Sequence, residues 1–69
     1  MQENVKSTVK QALEGIVKDV KIINTQEGFK FTRYGLEGEL VEGLSFLASH
    51  FSLAWAIKRS GKGVTVIFE

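Results

Sequence analysis

His50 is the only histidine in the sequence, and so the one side chain whose ordinary pKa lets it exchange a proton near neutral pH. A catalytic base also needs a positioned partner and a substrate pocket. Glu42 would lie two helical turns away, and neighbouring Ser49 belongs to no nucleophile motif. A structural histidine is therefore favoured, and no catalytic residue is assigned. Metal chemistry has less support. One imidazole without any cysteine cannot build the usual zinc set, and Glu37, Glu39 and Glu42 do not follow calcium-loop spacing, so neither metal nor cofactor is expected. Gly61-Lys62-Gly63 suggests a phosphate loop, but such loops run from strand to helix and end in Lys-Ser or Lys-Thr. Here the preceding residues look helical and the following ones extended, so a helix C-cap is expected. Lys58, Arg59 and Lys62 remain as a candidate anion site for nucleic-acid phosphates or an acidic protein.

A second group of side chains lies in Gly28-Phe29-Lys30-Phe31-Thr32-Arg33-Tyr34. Gly28, Phe29, Phe31 and Tyr34 resemble the RNP1 strand of RNA-recognition motifs, with departures at Glu27, Lys30 and Thr32. The resemblance covers about seven residues and implies base stacking on the aromatic side chains. The favoured alternative places Phe29 and Phe31 in a core or interface. With an open sheet face, Lys21, Lys30, Arg33 and Tyr34 are the candidates for nucleic-acid contact.

The elements that carry these residues follow from periodicity. Val5, Val9, Ala12, Leu13 and Ile16 recur at intervals of three and four, which predicts an amphipathic helix over about 4–18 with Asn4 as N-cap. Two β-prone runs, Val20–Asn24 and Phe29–Tyr34, flank Thr25-Gln26-Glu27-Gly28 and predict a hairpin. Residues 35–43 are ambiguous between strand, loop and helix, and a helix starting near Glu39 is favoured. That helix is expected to run to Lys58 and Arg59, whose charges would suit its C-terminal dipole, with Gly61 as its left-handed cap. Val64–Phe68 reads as a final buried strand. The expected fold class is α+β, a single two-layer α-β-β-α-β domain over 1–69. Its three-stranded sheet combines the hairpin with the C-terminal strand, both helices lie on one face, and a crossover makes the outer strands parallel.

Read as one helix, residues 39–60 carry more apolar surface than a single contact needs. Leu40, Leu44, Leu47, Phe51, Ala54 and Trp55 make one stripe, Phe46, His50, Leu53 and Ile57 a second, and serines line a third. Burial beneath the first helix accounts for part of this, and Phe46, Leu53, Trp55 and Ile57 are the candidate interface residues for a protein partner or a second copy.

The totals agree with a small module. Nine Lys and Arg against eight Asp and Glu give a net charge of +1, too little for the broad positive field of a dedicated nucleic-acid binder. The longest apolar run, Leu44–Ile57, is about 14 residues, shorter than the roughly 20 a membrane-spanning helix needs, so no membrane association is expected. The absence of cysteine and of a signal-like start favours a cytoplasmic setting. The expected function is a non-catalytic protein-interaction or regulatory module, an inhibitor or adaptor, acting through an apolar helix or open sheet face. The alternative is nucleic-acid binding by the basic and aromatic hairpin.

Overall fold

The computed structural model describes residues 1–69 as an α+β fold of two helices on one face of a four-stranded sheet. The elements in chain order are α1 (Glu3–Ile16), β1 (Ile23–Asn24), β2 (Phe29–Arg33), α2 (Gly38–His50), β3 (Trp55–Ser60) and β4 (Gly63–Phe68). The sheet order is β1-β2-β4-β3, with every neighbouring pair antiparallel.

Helix α1 forms where the three-and-four spacing places it and buries Val9 and Leu13, with Val17 buried just beyond its end. Its N-cap is Gln2 rather than Asn4, which lies inside the first turn and accepts the Val5 N–H at 3.0 Å. The hairpin forms as expected around Thr25–Gly28. The Thr25 N–H donates to the Gly28 carbonyl and the Gly28 N–H to Thr25 Oγ1, both at 2.9 Å. Its first strand, however, is only two residues long.

Alternation in the sheet decides what is buried. Phe29 and Phe31 of β2 and Val66 and Phe68 of β4 point towards the helices, where they meet Leu44, Leu47 and Ala48 of α2. Between the helices, Gly43 faces Ile16: a Cβ there would sit 3.5 Å from Ile16 Cγ2. The opposite sheet face carries Lys30, Thr32, Thr65, Ile67, Ala56 and Lys58, and no helix covers it.

The main departure from expectation is at the end of α2. The helix stops at His50 instead of running on to Arg59, and β3 is a fourth strand that the three-stranded arrangement lacked. Leu53 N–H donates to the Ala48 carbonyl at 2.8 Å and Ser52 N–H to the Ser49 carbonyl at 3.3 Å, while Ser52 takes φ 55°. This is a Schellman ending with serine in the left-handed position usually held by glycine. Trp55, Lys58 and Arg59 are therefore strand residues, and the two stripes drawn through them are not faces of one helix. Lys58 and Arg59 do not meet a helix dipole.

Gly61, at φ 58°, is the first central residue of a two-residue turn between Ser60 and Gly63, so it opens a β3–β4 hairpin rather than capping a helix. The extra strand reverses the chain once more. β4 therefore lies antiparallel to β2, and the expected parallel crossover does not form.

Candidate protein-interaction edge

Each candidate side chain takes its setting from the sheet. Lys30 and Lys58 share the open face with hydroxyls, and alternation beyond Ile67 puts Glu69 at the end of that face. Thr32 and Thr65, paired across β2 and β4, have their Oγ1 atoms 3.1 Å apart. Arg33 points to the other face, at the end of β2, where its side chain is 19% exposed. Its Nε lies 3.1 Å from Asp19 Oδ1, Nη2 lies 3.0 Å from Asp19 Oδ2, and Nη1 donates to Glu37 Oε2 at 3.1 Å and to the Gly35 carbonyl at 2.7 Å.

These bonds change the acids. The guanidinium's hydrogen bond holds the Asp19 carboxyl below its usual range. Glu37 is also held low, first by a hydrogen bond from its own backbone N–H and then by Arg33. The Arg33 pKa is raised chiefly by its hydrogen bond to Asp19. Hydrogen bonds to Asp19, Gly35 and Glu37 make Arg33 a clasp that ties the α1–β1 loop and the start of α2 to β2. Tyr34, 88% exposed, and Lys62 line an open cleft of about 790 Å³ beside it. Lys21 precedes β1 and is exposed, and Arg59 lies exposed on the helix side of β3. The expected basic group is thus divided between two faces and a turn.

The aromatic side chains of the RNP1-like segment are separated in the same way. Phe29 and Phe31 are buried in the core, and only Tyr34 faces solvent. Gly28 has a packing reason, because a Cβ there would collide with the Phe68 carbonyl. His50 is exposed, with its ring edge-on to Phe51 at 4.9 Å. No three metal-ligating side chains converge anywhere in the chain. No helix is long and apolar enough to cross a membrane.

Of the interface candidates, Leu53 and Trp55 are half-buried against the core, and Trp55 stacks on Phe68 with centroids 5.8 Å apart. Phe46 projects from the outer side of α2 at 76% exposure. Ile57 is 46% exposed on β3, and five of that strand's six residues are exposed.

The feature that sequence reasoning missed is the free edge of β3. The Glu69 N–H donates to the Ala54 carbonyl at 2.8 Å, which extends the β3–β4 register by one pair. Hydrogen bonding alternates along an antiparallel ladder, so Ala56, Lys58 and Ser60 turn their amides and carbonyls towards β4. Those of Trp55, Ile57 and Arg59 turn outward, where no strand meets them. The signal available in the sequence was Gly61-Lys62 between two extended runs, a two-residue hairpin loop with glycine first.

Comparison with protein-family models, with curated proteins and with solved structures finds no match to this chain.

Proposed function

We propose that this chain is a non-catalytic protein-interaction module, regulatory in character, which meets its partner by adding a strand to the free edge of β3. One observation carries the reading: the outward amides and carbonyls of Trp55, Ile57 and Arg59, on an exposed edge strand beside the exposed Ile57 side chain. An edge of this kind is a template for a further strand, because main-chain hydrogen bonds supply affinity without requiring a deep pocket. Proteins commonly blunt such edges with proline, bulges or charged side chains, and here only Lys58 and Arg59 do so. β3 contains no proline, and its pairing with β4 runs unbroken through six residue pairs. A non-catalytic role is supported by the surroundings of the titratable groups. His50 is exposed with its ring edge-on to Phe51, and Arg33 with its two acids is occupied in holding the fold.

Nucleic-acid binding is the second reading, favoured by Lys30 and Lys58 together on an uncovered sheet face. With Phe29 and Phe31 in the core it would rest on phosphate contacts instead of base stacking.

The test compares the wild type with Ile57→Pro. The Ile57 N–H points away from β4, so proline there removes an edge donor while leaving the β3–β4 ladder intact. Proteins from the source cells that the immobilised wild type retains and a folded Ile57→Pro chain loses support the reading. Equal retention by both chains rejects it. Binding of a labelled single-stranded oligonucleotide that weakens steeply with salt supports the second reading instead.

A further inference from the structure

We propose that the strand added to β3 is β3 of a second copy of this chain, running antiparallel about a two-fold axis at Ile57, so that two four-stranded sheets become one continuous sheet. The inference rests on the β3 edge being the interaction surface and adds the identity and register of the occupant. It follows from hydrogen-bond parity, from charge and from side-chain pairing along Trp55-Ala56-Ile57-Lys58-Arg59-Ser60.

Parity is the first constraint. In a symmetric antiparallel pair, the residue on the axis meets its own copy, and the outward-facing residues must form the hydrogen-bonded pairs. Trp55, Ile57 and Arg59 face outward. An axis at Ile57 makes Ile57 with Ile57 of the second copy one such pair, and Trp55 with Arg59 of the second copy two more by symmetry. Every outward donor and acceptor of the three residues then finds a partner.

Charge selects among the registers. An axis at Lys58 would set Lys58 against Lys58, and one at Arg59 would set Arg59 against Arg59, both unfavourable. An axis at Ala56 avoids this but joins fewer strand residues. With the axis at Ile57, Lys58 lies opposite Ala56 and Arg59 opposite Trp55, so each cation meets an uncharged residue. Lys58 and Arg59, the charges that guard this edge, thus disfavour the registers centred on themselves and leave this one open.

The side chains fit the same register. Trp55, Ile57 and Arg59 all lie on the helix side of β3. The two half-exposed Ile57 side chains meet at the axis and cover each other. Trp55, already stacked on Phe68, offers its ring to the guanidinium of the second copy's Arg59, a cation–π pair formed twice in the dimer. The two Lys58 side chains lie diagonally on the open face, so added salt should tighten association by screening them, the reverse of its effect on nucleic-acid binding.

The experiment combines sedimentation equilibrium, up to about 1 mM protein, with a disulfide test of register. The chain has no cysteine, so introduced thiols can pair only with each other. In the proposed register Ala56 and Lys58 of the second copy form a non-hydrogen-bonded pair about 4.5 Å apart between Cα atoms, within disulfide reach. Each residue and its own copy are diagonal, about 8 Å apart and out of reach. A mixture of Ala56→Cys and Lys58→Cys chains should therefore oxidise mainly to the mixed dimer. The wild type should show a monomer–dimer equilibrium that Ile57→Pro abolishes, and amide protection at Trp55, Ile57 and Arg59 should rise with concentration. A wild type that stays monomeric, a dimer unaffected by Ile57→Pro, or cross-linking at Phe46→Cys in place of the mixed dimer overturns the proposal. A monomeric wild type that still retains another protein through an Ile57→Pro-sensitive contact would overturn self-pairing alone and leave the interaction reading standing.

Discussion

Phe31 and Lys30 are neighbours on one strand with opposite environments, and together they separate packing from recognition. Phe31 is fully buried among β4 and helix residues, whereas Lys30 lies on the uncovered face. Truncating a buried phenylalanine costs about 3–5 kcal/mol. A chain of this length holds only about 3–10 kcal/mol of stability in total. Phe31→Ala should therefore unfold much of the population, seen as lost cooperative unfolding by circular dichroism, while Lys30→Ala should stay within about 0.5 kcal/mol of wild type. A folded Phe31→Ala chain that had lost only nucleic-acid binding would restore the stacking role its RNP1-like setting suggests. The Arg33 clasp makes a separate prediction. The carboxyl pKa values of Asp19 and Glu37 are lower in the folded chain than their ordinary 3.8 and 4.5, so the unfolded state binds protons first. Their contribution is present above those ordinary values and is lost as pH falls through the lowered ones. Urea midpoints measured from about pH 6 to pH 2 should thus fall less for the Asp19→Asn/Glu37→Gln double variant than for the wild type. Both acids are exposed, so salt should shrink the difference.

Among the elements, α1, the β1–β2 hairpin and β4 were legible because one periodicity dominates each segment. Residues 51–60 were not, because two patterns overlap there. Phe51, Ala54 and Trp55 continue the three-and-four spacing of Leu44 and Leu47, while Trp55, Ile57 and Arg59 also alternate as a strand. The helix stop that should decide between them is hidden, since the left-handed position is Ser52 instead of glycine. The candidate interface residues were only partly legible for the same cause. Ile57 was singled out as a helix-face residue, yet what matters at that position is its outward backbone. Ser52→Gly tests the assignment by the sign of its effect. At φ 55° glycine relieves a left-handed strain, which should raise stability by about 0.5–1 kcal/mol, or roughly 2–8 °C in Tm for a chain of this size. If residues 51–60 were helical, the same substitution would instead cost about 0.3–0.5 kcal/mol, the gap between serine and glycine in a helix. Thermal melts of the two chains give opposite answers.

At the scale of the whole molecule, the core is off-centre in the sheet. Its buried apolar residues come from α1 and the residue after it, from β2, from α2 and from β4, and β3 supplies none. The helices cover the middle of the sheet and leave β3 held by its ladder to β4 and by the half-buried Trp55. Stability should therefore be graded across the sheet instead of uniform, since local opening is easiest where few apolar contacts must break. The Phe31 amide, between β2 and β4, should exchange with solvent only through global unfolding. The Ala56 and Lys58 amides, bonded to β4 at the edge, should exchange through a smaller opening that releases β3 alone. Trp55, Ile57 and Arg59, with outward amides, should exchange fastest of all in the dilute chain. Native-state hydrogen exchange across a denaturant series measures this order directly. A flat profile, with Ala56 and Lys58 as protected as Phe31, would mean that β3 belongs to the same cooperative unit as the core. A graded profile would mean that the strand offered for pairing is also the one the fold holds most loosely. A partner strand there would then stabilise the element that the small core leaves unsupported.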